Sequence, residues 1–152
     1  MNNAPIKTLL TGGTGFLSKE MLSGLQSIGC EVTTLGRTEI ADIRVDISDD
    51  FQLEHSFDWV IHAAGKVHTV PKNKHEEDDF FRINERGTKN LCLALEKVGI
   101  PTFMIFISTV AVYGTSPVSY IDEQYPTNAD TPYGISKLNA EQYLREWCVK
   151  WS

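Results

Sequence analysis

Tyr133 and Lys137 stand four residues apart in the run Tyr133-Gly134-Ile135-Ser136-Lys137, and far upstream lies a glycine-rich stretch, Thr11-Gly12-Gly13-Thr14-Gly15-Phe16-Leu17-Ser18. A phenol ionises near pH ~10 and is a poor base at neutral pH, but on a helix a lysine at i+4 shares its face and its charge favours the phenolate. A glycine-rich turn between a strand and a helix lets the backbone approach a pyrophosphate, whose charge then faces the positive helix end. A proton carrier and a dinucleotide cradle in one chain point to hydride transfer on a small molecule. Ser108 and Thr109 add hydroxyls that could hold a substrate oxygen beside the phenol. Each signal also has a plain alternative: Tyr-x-x-x-Lys arises often by chance, and glycines make purely structural turns.

The apolar pattern supplies the elements that would position these groups. Residues 6–11 form an apolar run ending in the glycines, and Leu17, Met21, Leu22, Leu25 and Ile28 recur at helical spacing over 16–28, which reads as strand, tight turn and helix. Gly29 stops that helix; 32–35 read as a second strand, 40–45 as a third with alternating apolar positions, and 59–63 as a fourth. Over 76–98, Phe81, Asn84, Thr88, Leu91, Leu95 and Val98 repeat at intervals of three and four behind an acidic first turn, and Gly99 and Pro101 end the helix. Residues 102–108 form a nearly continuous apolar strand, as expected at the centre of a sheet covered on both faces. After a polar loop over 114–130, Asp130 or Thr131 caps a last helix with Pro132 at its first position, and Leu144, Trp147, Cys148 and Trp151 mark its apolar side. Strands alternating with helices predict an α/β fold, a parallel, doubly wound sheet that binds ligands at the turn after its first strand.

The chain has 152 residues, enough for one domain with a real core. Its formal charge of −6 is spread out apart from Glu76-Glu77-Asp78-Asp79, and no basic stripe is interleaved with aromatics, so nucleic acid is not an expected partner. Cys30, Cys92 and Cys148 are odd in number and far apart, which fits reduced thiols in a cytoplasm, each filling core. No charged region followed by an apolar stretch opens the chain and no segment approaches the ~20 apolar residues of a membrane span, so a soluble, cytoplasmic protein without a membrane partner is expected. His62, His68 and His75 lack zinc-like spacing, and no metal is expected.

Gly12, Gly15 and Ser18 fit Gly-x-x-Gly-x-x-Ser, where the third small residue lets the helix pack close to the sheet. At the end of the second strand a carboxylate would bond a free ribose 2′-hydroxyl, whereas an arginine accommodates a 2′-phosphate. Gly36 and Arg37 stand there, favouring NADP over NAD; a solvated loop arginine is the plain alternative. Asp46 and Ile47 follow the third strand, where they could flank an adenine ring, although a capped turn also accounts for Asp46. His62-Ala63-Ala64-Gly65 closes the fourth strand with small residues that let a flat cofactor lie near the backbone.

In this order and spacing the motifs resemble those of the extended short-chain dehydrogenase/reductase family, and within it the nucleotide-sugar epimerases and dehydratases. Residues 11–18 are similar to its Thr-Gly-x-x-Gly-Phe-x-Gly signature, His62 to Gly65 to its fourth-strand motif, and Asn84-Glu85-Arg86-Gly87-Thr88-Lys89-Asn90-Leu91 to its helix motif. Ser108-Thr109-Val110-Ala111-Val112-Tyr113-Gly114 and 133–137, with Glu141 beyond, resemble its catalytic segments. The resemblance implies a Rossmann-type sheet in strand order 3-2-1-4-5 that binds NADP or NAD. Cofactor contacts would come from Gly12, Gly15, Phe16, Leu17, Arg37, Asp46, Ile47, Ala63, Ala64, Gly65, Asn84, Tyr133 and Lys137. It further implies Tyr133 as acid/base, Lys137 as the group that favours its phenolate and meets the nicotinamide ribose, Thr109 as the hydroxyl that orients substrate with Ser108 beside it, and Asn84 as a support for the helix geometry.

The implied reaction removes hydride from a sugar carbon to NAD(P) while Tyr133 takes the hydroxyl proton; an epimerase then returns the hydride to the other face. Dehydratases of the family usually carry Asp-Glu directly after the threonine, where this chain has Val110-Ala111, so the resemblance favours an epimerase, or a dehydrogenase/reductase, acting on a nucleotide sugar. A non-catalytic dinucleotide-binding module is the alternative from another class. Complete members are much longer and continue the sheet into a substrate-covering region, so a fragment of a larger enzyme is expected ahead of a natural truncation or a partner-supplied half, with the edge beyond the fifth strand unpaired. Such enzymes commonly dimerise through the helices that correspond to 76–98 and 131–151, which makes a homodimer an expectation of the resemblance.

Overall fold

A computed structural model describes residues 4–13, 15–67, 69–115 and 120–152, so Thr14 of the glycine turn, His68 and 116–119 of the polar loop lie outside the described residues. In chain order the elements are β1 (Lys7–Thr11), α1 (Phe16–Ser27), β2 (Glu31–Gly36), β3 (Ile43–Arg44), β4 (Trp59–His62), α2 (Lys74–Phe80), a π-helical segment (Phe81–Arg86), α3 (Gly87–Val98), β5 (Phe103–Phe106), a 3-10 turn (Val110–Tyr113) and α4 (Pro132–Lys150). The chain divides into two compact units, Met1–Gly65 with Asn90–Ile107, and Lys66–Lys89 with Ser108–Ser152.

The first unit is a five-stranded sheet in the order β3-β2-β1-β4-β5, with every pairing parallel, the Rossmann-type order that the resemblance implies. β1 takes the centre because Thr8, Leu9, Leu10 and Thr11 can all be buried, and Val60 and Ile61 of β4 join them in the core. Gly29, at φ +86°, adopts the left-handed conformation that ends α1 after Ser27. Ser18 is the only buried residue of α1; of the apolar stripe read over 16–28, Met21, Leu22 and Leu25 are half-buried, while Leu17 and Ile28 are exposed. The small serine lies where a third glycine was the usual residue, and it fits.

Two strands differ from expectation. β3 is two residues long because the Asp42 carboxylate accepts from the Thr34 amide (2.8 Å) and hydroxyl (2.7 Å), which turns 40–42 into a side-chain-closed loop instead of strand. Those bonds also hold the Asp42 carboxyl below its ordinary range. Among the described residues β5 ends the sheet order and leaves Phe103 and Ile105 exposed. An apolar run reads the same at the centre and at an edge, since local sequence does not report which neighbours arrive.

The second unit holds α2, the π segment, the 3-10 turn and α4. Asn73 caps α2 by accepting from the Glu76 amide (3.0 Å). The single helix expected over 76–98 is broken by the π segment, whose wider turn carries an extra residue and moves Phe80, not Phe81, onto the buried side above Asn84. Thr131, one of the two expected caps, accepts from the Gly134 amide (3.1 Å), with Pro132 first in α4. Leu144 and Trp147 are buried, but Cys148 is exposed, so only Cys30 and Cys92 fill core. Among the described residues no helix is long and apolar enough to cross a membrane.

Candidate active site

In the first unit the glycine turn is fixed by space as well as by torsion. Gly12 has φ +72°, donates its amide to Leu35 O (2.8 Å), and a Cβ there would lie 2.8 Å from the Ala64 Cα. A Cβ on Gly13 would lie 2.8 Å from the Thr34 Cβ. The Thr11 hydroxyl accepts from the Ala64 amide (3.1 Å) and pairs with His62 Nδ1 (2.7 Å), joining the end of β1 to Ala63-Ala64-Gly65 behind β4. Gly15 is the N-cap of α1 and has no side chain to occupy the first-turn amides, no acid stands in that turn, and Phe16 is 89% exposed. The result is a bare, backbone-lined helix start suited to an anion.

Arg37 follows β2 with its guanidinium 3.9 Å from Asp46 Oδ2 and its side chain 68% exposed. The other Asp46 oxygen accepts from the Ser48 amide (3.0 Å) and hydroxyl (2.6 Å), so Asp46 caps a turn and faces Arg37 at once. Ile47 is buried, with little side chain left for another ring to meet. His62 is buried against Thr11, and among the described residues no group of three His, Cys, Asp or Glu side chains could hold a metal ion.

In the second unit α4 presents Tyr133 and Lys137 one turn apart. Lys137 is 5% exposed, and burial pushes its ammonium down from 10.5 to about 8, with the Glu141 charge pulling the other way. The ring of Tyr133 lies 5.9 Å from that of buried Phe80, over which the Lys66 ammonium sits at 4.9 Å while it pairs with Asp79 (3.2 Å). Asn84, on the π segment, uses its whole amide: Oδ1 accepts from the Lys66 amide (2.7 Å), and Nδ2 donates to Lys66 O (3.2 Å) and Ser136 Oγ (3.0 Å). Ser136 in turn donates to Tyr133 O (2.8 Å), so the Tyr133–Lys137 turn is pinned from inside.

Thr109 caps the 3-10 turn by accepting from the Ala111 amide (3.2 Å), which leaves its hydroxyl hydrogen for a ligand oxygen. Gly134 lets α4 approach that turn, since a Cβ would come 2.5 Å from Ala111 O. Ser108 donates instead to Glu141, which also faces Arg145 (3.6 Å). A cavity of about 560 Å³ opens beside Ser108 and Thr109 and is lined further by Tyr113, Glu123, Tyr125, Glu141 and Arg145; Tyr133 and Lys137 do not line it.

The model of the NAD dependent epimerase/dehydratase family matches residues 8–151. The chain belongs to that family. Over 155 aligned residues it is 32% identical to the UDP-glucose 4-epimerase of Azospirillum brasilense, covering 92% of this chain and 44% of the relative. The UDP-Glc/GlcNAc 4-epimerase of Campylobacter jejuni superposes with a TM-score of 0.82 at 25% identity, over 95% of this chain and 50% of that one. The UDP-glucose 4-epimerase of Thermus thermophilus in complex with NAD gives 0.77 at 25%, over 93% and 50%. The chain thus spans about half the length of the relatives it matches. Phe80, Ser136 and the three hydrogen bonds of the Asn84 amide are not legible in the sequence; the serine inside Tyr133 to Lys137 is the one available signal, because it must share the buried side of the same turn.

Proposed function

We propose that this chain is the cofactor-binding and acid/base part of an NAD(P)-dependent epimerase acting on a UDP-hexose, the substrate class of the epimerases it resembles. The observation that carries the reading is Lys137, a nearly buried cation one helical turn from a tyrosine. The glycine cradle fits a dinucleotide: bare first-turn amides for the pyrophosphate, and a wall at Ala64 so close that only glycine serves at position 12. NAD(P) bound there supplies a hydride acceptor and then a hydride donor. Gly12, Gly15, Phe16 and Leu17 would meet the pyrophosphate end, and Ala63 to Gly65 the flat part.

Thr109 donates its hydroxyl to the sugar oxygen, and Tyr133 takes the proton from the hydroxyl being oxidised. Lys137 remains charged at neutral pH, one helical turn from that tyrosine. Asn84 and Ser136 hold the turn that carries both groups. Val110 and Ala111 cannot supply the acid and base of a water elimination, which argues against a dehydratase.

The cofactor proposed is NADP. Asp42 is committed to Thr34, and Asp46 to Ser48 and Arg37, while the Arg37 guanidinium is exposed. Arg37→Asp should move preference from NADPH toward NADH.

The deciding experiment incubates the protein with NADP or NAD and a UDP-hexose and follows both reduced nicotinamide and the epimeric product. Tyr133→Phe should bind cofactor normally and lose turnover; full turnover in that variant would overturn the reading. Binding without any exchange in the wild type would leave a dinucleotide-binding module.

A further inference from the structure

Asn90 lies on α3 with its side chain buried, and its amide donates both hydrogens to backbone carbonyls of one distant turn: Ile47 O at 3.1 Å, 43 residues upstream, and Asp49 O at 3.0 Å. Those carbonyls flank Ser48, whose amide and hydroxyl both go to Asp46 Oδ1, while the Asp49 amide closes on Asp46 O (3.0 Å). The turn 46–49 therefore has little slack, and the Asn90 side chain ties it to α3. Its free-standing product is the direction of the Asp46 carboxylate, whose Oδ2 faces the otherwise exposed Arg37 guanidinium. A long exposed arginine gains little from a loose partner, because ordering it costs rotamer entropy; a carboxylate held rigid confines it at smaller cost.

We propose that Asn90 is a positioning residue for the adenosine end of the bound dinucleotide: by holding the turn 46–49 it aims Asp46, and through Asp46 it places Arg37. The inference rests on the proposed dinucleotide site of the first unit and is independent of the chemistry assigned to Tyr133. Asn90 touches no ligand itself. Leucine at this position fills the volume and removes both donors, whereas glutamine keeps both donors on a longer stem.

The test compares the affinities of the wild type, Asn90→Leu and Asn90→Gln for ADP-ribose, NADPH and nicotinamide mononucleotide, with circular dichroism and melting curves as the check on folding. Asn90→Leu should weaken ADP-ribose and NADPH about tenfold, a loss of about 1.4 kcal/mol, and leave nicotinamide mononucleotide unchanged; Asn90→Gln should restore part of the loss. If Asn90→Leu does not fold, Asn90→Ser, a shorter donor, carries the same comparison. Equal weakening of the mononucleotide would mark a general structural role and overturn the proposal, as would wild-type ADP-ribose affinity in a folded variant without the amide. A wild type that binds neither dinucleotide nor ADP-ribose would instead remove the dinucleotide site on which the inference rests.

Discussion

Replacing Lys137 with methionine should make the protein more stable and less active. The side chain is 5% exposed, and burial lowers its pKa from 10.5 to about 8 even though the Glu141 charge opposes the shift. At about 1.4 kcal/mol per unit, that gap corresponds to about 3 kcal/mol spent in keeping the ammonium charged inside the fold. Below pH 8 the folded and unfolded chains both carry the proton, so the cost is present in full. Between about 8 and 10.5 the unfolded chain binds more protons than the folded one, and wild-type stability rises with pH. Above 10.5 both forms are neutral and the cost is gone. Methionine is unbranched, one atom shorter, and removes the charge. Urea unfolding followed by tryptophan fluorescence should show Lys137→Met more stable at pH 7 by up to about 3 kcal/mol, with the gain falling toward zero by about pH 10.5. A variant no more stable than the wild type at pH 7, or one whose gain does not shrink with pH, would refute the reasoning. Hydride exchange should be lost in either case.

Gly12→Ala places a Cβ 2.8 Å from the Ala64 backbone at φ +72°, so it should cost about 2 kcal/mol or more in thermal unfolding and flatten a dinucleotide titration. Gly24→Ala is the counterpart: the site is open and mid-helix, and the melt should show a gain of about 0.5–1 kcal/mol. Glu141→Gln removes the charge that raises the Lys137 pKa, so the alkaline limb of turnover should move to lower pH; an unmoved limb would mean that Glu141 does not act on Lys137. The wild-type limb itself should fall above about pH 8, as the Lys137 cation beside Tyr133 is lost.

The positions of most strands follow from features a sequence carries openly, whereas the order in which they pair comes from the family resemblance of the motifs. Thr8 to Thr11 and Val60 to His62 are buried, with Leu9, Leu10, Val60 and Ile61 as their apolar centres, and Gly12 is required by torsion and space together. Tyr133 and Lys137 are legible because helical spacing fixes their relation, but the depth at which Lys137 is buried depends on what packs over it. Phe81 was the expected core residue and Phe80 is the real one, since a π turn leaves spacings of three and four intact in the letters while shifting the face. Asn90 gives no periodic signal: its partners are carbonyls 41 and 43 residues away, and any side chain may approach a carbonyl. The shortness of β3 has the same origin in Asp42, where a carboxylate captures backbone that the alternating pattern assigned to strand.

The π segment also limits how the chain can change length. A π turn contains one residue more than the α turn it replaces, so Phe81–Arg86 is in effect an insertion that has been absorbed without bulging into a loop. Removing one residue there would let the helix wind regularly, and at about 100° per residue it would rotate one end against the other. Either Phe80 would leave Tyr133 or Asn84 would leave Ser136, because both contacts belong to the same winding. A one-residue gap at this place in a homologue, trivial as a difference in length, would therefore mark a protein whose tyrosine is held in some other way.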